Sequence, residues 1–125
     1  MQTDIKPPPV TIESVLSIIR TARLDLSDEK RTQNDLAQVF TSRDIGFERE
    51  VRLNAADIID FLIDDIGIEV KLKGARKKDI YRQLCRYAKS DRVQHLVLAT
   101  NITMGLPEYI DGKPVYFIAV GRAWL

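Results

Sequence analysis

The stretch Ile58-Ile59-Asp60-Phe61-Leu62-Ile63-Asp64-Asp65-Ile66-Gly67-Ile68-Glu69-Val70-Lys71-Leu72-Lys73 reads as two extended segments around a turn. From Gly67 to Lys73 the alternation is strict, with Ile68, Val70 and Leu72 on one side and Glu69, Lys71 and Lys73 on the other. That is the pattern of a strand with one covered face. Asp57 to Ile63 is rich in β-formers, and Asp64-Asp65-Ile66-Gly67 is turn material, so the two segments are expected to form a hairpin. A two-residue turn at Asp65-Ile66 sets Asp60 opposite Lys71 and Leu62 opposite Glu69. Asp60, Glu69 and Lys71 then project from one side, while Ile59, Phe61, Val70 and Leu72 fill the core. A turn one residue longer or shorter would reverse the faces.

Outward from the hairpin, Phe47 to Leu53 alternates apolar and polar residues and reads as a preceding strand. Before it, Ser27 is placed to cap a helix with Asp28 and Glu29 in its first turn, carrying Leu36, Val39 and Phe40 inward and stopping near Gly46. An earlier helix is expected from a Thr11 cap to about Arg23, with Ile12, Val15, Leu16, Ile18 and Ile19 as its stripe. Residues 1–10, with Pro7-Pro8-Pro9, form an extended lead-in. On the other side, Gly74 precedes a helix from Lys77 to about Lys89 with Ile80, Leu84, Tyr87 and Ala88 as its buried stripe. Val93 to Ala99 reads as a mostly buried strand, and the Asp111-Gly112-Lys113-Pro114 turn leads into a last strand, Val115 to Val120. The order α-α-β-β-β-α-β-β predicts an α/β domain over residues 1–125: one mixed sheet covered by helices.

Apolar residues make up 45% of the chain and charged residues 30%, which is the composition of a globular domain. One cysteine, Cys85, allows no internal disulfide, and with one histidine, His95, there is no set for a zinc site. No apolar run approaches the roughly 20 residues of a membrane helix, and the proline-rich start is not a signal peptide, so a cytoplasmic location is expected. The net charge of +1 hides an asymmetry. Asp57, Asp60, Asp64, Asp65 and Glu69 form an acidic block, followed by Lys71, Lys73, Arg76, Lys77, Lys78, Arg82, Arg86, Lys89 and Arg92. An acidic hairpin beside a basic helix could hold a cation next to a phosphate backbone; the plain alternative is a solvated helix face.

Two carboxylates and an ammonium on one patch suit phosphodiester hydrolysis. Hard oxygen ligands hold Mg²⁺ or Mn²⁺, and a lysine beside them orients or helps deprotonate the attacking water, or stabilises developing charge. The plain alternative for Glu69 and Lys71 is an exposed ion pair worth under about 1 kcal/mol. Asp60 is harder to dismiss, because an acid flanked by four large apolar residues needs a partner or a metal.

Ile58-Ile59-Asp60-Phe61-Leu62 followed by Ile68-Glu69-Val70-Lys71 resembles the signature of the PD-(D/E)xK nucleases, the restriction-endonuclease-like superfamily. Ile59 stands where the superfamily's name has proline. The resemblance covers about residues 27–101 and implies an α-β-β-β-α-β core, with an N-terminal helix and a C-terminal strand added here. It implies that Asp60 and Glu69, with the Val70 backbone carbonyl, hold the metal and that Lys71 assists the water. It also implies a further glutamate from the preceding helix, which Glu29 matches, with Gln33 one turn on. Gln83-Leu84-Cys85-Arg86-Tyr87 resembles the Gln-x-x-x-Tyr motif of the RecB-type branch, making Gln83 a further catalytic candidate. Lys73, Arg76, Lys77, Lys78, Arg82 and Tyr87 are then the expected DNA contacts.

The expected function is a Mg²⁺-dependent deoxyribonuclease. The alternatives are a Holliday-junction resolvase acting as a homodimer and a non-catalytic DNA-binding or assembly module on the same fold. A small stand-alone nuclease domain would fit a phage or mobile-element protein. Glu48 and Glu50 on the first strand are expected at the surface, His95 as a surface or satisfied side chain, Cys85 as small and buried, and Trp124 in packing or a dimer contact.

Overall fold

A computed structural model describes residues 10–121. The lead-in over residues 1–9 and Trp124 lie outside the described residues. Three helices and six strands follow in the order α1 (Ile12–Thr21), α2 (Glu29–Ser42), β1 (Glu48–Arg52), β2 (Ile58–Ile63), β3 (Ile66–Lys71), α3 (Lys77–Tyr87), β4 (His95–Thr100), β5 (Tyr109–Ile110) and β6 (Lys113–Ala119). The strands make one mixed sheet in the order β1-β2-β3-β4-β6-β5. Pairing is antiparallel for β1–β2, β2–β3 and β5–β6 and parallel for β3–β4 and β4–β6. The expected α/β class with a mixed sheet flanked by helices is therefore observed. None of the described helices is long and apolar enough to cross a membrane.

The sheet is covered on both faces, which explains why its central strands are nearly continuous apolar runs. On one face α1 and α2 press Val15, Ile18, Ile19, Leu36 and Phe40 against Phe61, Ile63, Ile68, Val70, Val97, Ala99 and Ile118. Phe61 meets Phe40 edge-on at 5.8 Å and Phe47 at the same separation, tying α2 and β1 to the centre of β2. On the other face α3 presses Ile80, Leu84 and Tyr87 against Ile59, Leu62, Leu96 and Leu98. Gly67 leaves room there for its neighbours: a Cβ would lie 2.6 Å from Ile59 Cδ1 and 3.3 Å from Val93 Cγ1, so those side chains would have to shift.

The boundaries depart from the sequence reading in ways that matter for the site. Asp28, not Ser27, caps α2, its carboxylate accepting from Arg31 N–H at 3.0 Å, so Glu29 is the first helical residue. The β2–β3 turn is Asp64-Asp65, with Ile63 paired to Ile66, instead of Asp65-Ile66. Ile66 is 2% exposed and packs under α1 and α2, so burying it as a strand residue outweighs spending it in a turn. The register sum moves by two and Asp60 falls level with Glu69, an even shift that by itself reverses no face. α1 ends at Thr21, short of Arg23, and the short strand β5 accompanies β6, with the left-handed residues Asp111 and Gly112 (φ 52° and 73°) turning the hairpin.

Candidate active site

β2 and β3 stop pairing after Phe61↔Ile68, and the sheet opens there. The N-terminal half of β2 stays with β1, and the C-terminal half of β3 stays with β4. The strand phase also slips at this point. Phe61 and Ile63 face α1 and α2, so a regular strand would send Ile59 with them, yet Ile59 packs beside Leu62 under α3. This corrects the expectation that Ile59 shares the Phe61 face. Opposite the slip, Glu50 of β1 has φ 51°, a conformation that costs a non-glycine residue of order 1 kcal/mol. Asp60 sits at the slip.

The opening is laced by carboxylates where a ladder would have carbonyls. Val70 N–H donates to Asp60 Oδ2 at 2.8 Å, and Asp60 N–H donates to Glu69 Oε1 at 3.2 Å. Further along, Leu72 N–H donates to Glu29 Oε2 at 3.3 Å, bringing the first residue of α2 to the mouth of the gap. Lys71 Nζ lies 3.2 Å from Glu69 Oε2. The backbone carbonyl of Val70 points to the same side of the strand as its N–H, and so into the gap. From the α3 side Tyr87 closes it, its hydroxyl donating to the Ile58 carbonyl at 2.9 Å.

Burial sets the electrostatics. Glu69 is 2% exposed. Desolvation first, and repulsion from Asp60 second, push its carboxyl up to about 8. Burial also raises Asp60, opposed by the Val70 N–H and by Lys71. Burial and the two nearby carboxylates push the Tyr87 phenol far up as well, so it stays a neutral hydrogen-bond donor. With both acids ionised, one ammonium would leave a negative charge uncompensated, so the metal-free pair retains a proton at neutral pH. A divalent cation would supply the balance, and the donors present (two carboxylates and a carbonyl) are the hard oxygens that Mg²⁺ or Mn²⁺ takes. Among the described residues no cluster of three or more His, Cys, Asp or Glu surrounds one metal position, so Asp60 and Glu69 form a pair and not a closed cage.

The remaining expected residues divide between two surfaces. Lys71, Arg76 and Gln83 line a groove of about 370 Å³ together with Asp79, Ile80 and Arg86. Lys73 and Glu29 line a separate recess with Ser27 and Asn101, where Lys73 N–H donates to Asn101 Oδ1 at 2.8 Å. Lys77, Lys78 and Arg82 are exposed along α3 but do not line the groove. Gln33 is buried and accepts a long 3.5 Å bond from Arg49, with no hydrogen bond to Asp60 or Glu69. Tyr87 is fully buried, which removes it as a DNA contact: its place on the apolar stripe of α3 decides, and the ring belongs to the core. Cys85 is partly buried, and His95 stacks on Tyr116 at 6.4 Å with Nδ1 3.4 Å from Asp65. Glu48 and Glu50 are exposed in ion pairs with Arg92 and Lys30.

Sequence reasoning passed over Asp57 and Arg86. Their ion pair, 2.8 Å long and spanning 29 residues, fastens α3 to the start of β2. An acid opening a strand and a base next to the buried Tyr87 were signals, but nothing local connected them. No protein-family model, curated protein or solved structure matches the chain.

Proposed function

We propose that this protein is a metal-dependent nuclease that hydrolyses phosphodiester bonds of DNA on a restriction-endonuclease-like core. The observation that carries the reading is the mutual lacing of Asp60 and Glu69 across the β2–β3 opening with Lys71 3.2 Å from Glu69. An exposed ion pair would not be built this way: Glu69 is buried at a cost, and costly buried acids of this kind concentrate at functional sites. The order α2-β1-β2-β3-α3-β4 agrees with the core that the motif resemblance implies.

In this reading Asp60, Glu69 and the Val70 carbonyl hold Mg²⁺, which lowers the pKa of a bound water and offsets charge on the phosphate. Lys71 sits where the attacking water or the developing negative charge would be, and its ammonium orients the one or stabilises the other. Gln83 lines the same groove as Lys71 and positions the nucleophile or the sugar-phosphate backbone. Glu29, held on Leu72 N–H, is placed to support the metal's outer ligands without joining the pair. Lys77, Lys78 and Arg82 on the open side of α3 attract the polyanion from a distance, while Arg76 meets it at the groove.

The test is purified protein incubated with linear, circular, single-stranded and junction DNA in Mg²⁺, Mn²⁺ or EDTA. Cleavage that needs the divalent ion and stops in chelator is expected. Cleavage undiminished by excess EDTA, or none on any substrate, rejects the reading. Preference for the junction substrate by a dimer would narrow it to a resolvase.

A further inference from the structure

The groove beside Glu69 is reached by three cations that are held in different ways. Lys71 is committed to Glu69. Arg76 is 84% exposed and lies 3.9 Å from an exposed Asp79, a loose surface pair. Arg86 is half-exposed, but its partner Asp57 is buried.

Asp57 is fixed on every side. Arg86 Nε donates to its Oδ1 at 2.8 Å, and Asn54 Nδ2 donates to its Oδ2 at 2.9 Å. Asn54 Oδ1 in turn accepts from Ala56 N–H and Asp57 N–H at 2.8 and 2.9 Å. Leu53 N–H donates to the Asp57 carbonyl at 2.9 Å and closes the turn between β1 and β2. The Arg86 guanidinium, and after it Asn54, hold the Asp57 carboxyl below the usual carboxylate range, so the pair is ionic at neutral pH.

Only Nε of Arg86 is engaged among the described residues. The two terminal nitrogens keep their four N–H groups in a rigid planar fork on the groove wall, the geometry that matches two oxygens of a phosphate. A groove of about 370 Å³ falls within the range of single-ligand cavities, about 300–1,000 Å³, so it has room for one nucleotide-sized unit of a strand.

We infer that Arg86, oriented by buried Asp57 and Asn54, binds a backbone phosphate of the strand being cut, adjacent to the scissile phosphate at Lys71. This rests on the nuclease reading above and extends it: Arg86 contacts substrate, and Asp57 is a positioning residue that acts through it. Because the ligand is a phosphodiester, the contact carries no sequence preference.

The experiment is binding of a short fluorescent single-stranded DNA in EDTA, measured by anisotropy over a range of salt concentrations, with a thermal melt for each variant. Arg86→Ala should weaken binding about tenfold, the size of one charge-assisted hydrogen-bonded contact. It should also reduce the slope of log affinity against log salt by about 0.7, the loss of one phosphate contact on a single strand. Arg86→Lys should keep the slope and lose affinity, because the charge remains without the fork. Asp57→Asn should likewise keep the slope and lose affinity, since the cation stays but is no longer aimed. A folded Arg86→Ala protein with the parental slope overturns the inference. Should that variant fail to fold, parental affinity in Arg86→Lys does the same. Cleavage by the parent protein is scored separately. A lost slope in a protein that never cuts DNA keeps the phosphate contact and removes the nuclease reading; cutting with an unchanged slope does the reverse.

Discussion

Glu69→Gln should make the metal-free protein more stable while abolishing the proposed metal-dependent cleavage. The folded carboxyl titrates at about 8 against 4.5 for a free glutamate, so the folded state favours the protonated form. A raised acid contributes its full share of stability below the unfolded value. That share is lost as pH rises from about 4.5 to about 8, at about 1.4 kcal/mol per pH unit. At pH 7 the penalty has therefore reached about 3 kcal/mol as an upper figure. Asp60 and Lys71 rearrange around whichever carboxylate is charged, which leaves about 1–3 kcal/mol for the substitution to recover. Glutamine keeps an oxygen to accept from Asp60 N–H, so that bond survives. For a chain of this size about 1 kcal/mol moves the melting temperature by about 4 °C, so a rise of about 4–12 °C is expected in chelator at pH 7 to 8. The two melting curves should converge near pH 4.5, where Glu69 is protonated folded or unfolded. Adding Mg²⁺ should raise the parent's melting temperature and leave the variant's nearly unmoved. A variant that melts below the parent at pH 8 in chelator would refute the reasoning, because Glu69 would then be held by its partners and not strained by burial.

Asp60→Asn should abolish metal-dependent cleavage with the fold intact, and Lys71→Ala should lower the rate by about 10²–10³ while Mg²⁺ still shifts the melting temperature; rates under single-turnover conditions with a parallel melt check both. Charge reversal at Lys77 and Lys78 together should weaken DNA binding on every substrate and flatten its salt dependence; equal affinity at low and moderate salt would reduce that run to a solvated helix face. Gly67→Ala should cost about 1–3 kcal/mol in denaturant unfolding, because the new Cβ falls 2.6 Å from Ile59 Cδ1 in a part of the core that is fully buried.

The hairpin is legible in the sequence because period two is insensitive to where the turn is centred, so long as the register moves by an even number. A turn at Asp64-Asp65 instead of Asp65-Ile66 changes Asp60's opposite residue and by itself moves no side chain to the other face; only the slip at Asp60 does that, to Ile59. The helical stripes were legible for the same reason, and the α3 stripe already placed Tyr87 inside. Expecting Tyr87 at the DNA, on motif spacing alone, set one reading of the helix against the other, and burial of an aromatic ring decides such a contest. What could not be read is the opening itself. It depends on the left-handed turn at Glu50, the phase slip at Asp60 and two side-chain-to-backbone hydrogen bonds, none of which leaves a period in the sequence. Nor could the Asp57–Arg86 pair be found, since its partners lie 29 residues apart on different elements.

These hidden features depend on one another. A sheet that continued to pair past Phe61 and Ile68 would satisfy Val70 and Leu72 N–H with carbonyls of β2 and leave the carboxylates no backbone donors to rest on. Opening the sheet frees those donors, and burying Asp60 and Glu69 against them is what makes the opening tolerable. Ionising both acids there gives more charge than Lys71 alone offsets, so without a cation the pair retains a proton at neutral pH. In the proposed reading, stability near the gap is given up in the free protein and returned when a divalent cation binds. The buried Asp57 anchor, set at the other end of the same β2 arm, keeps that arm and α3 together while the gap between β2 and β3 stays open.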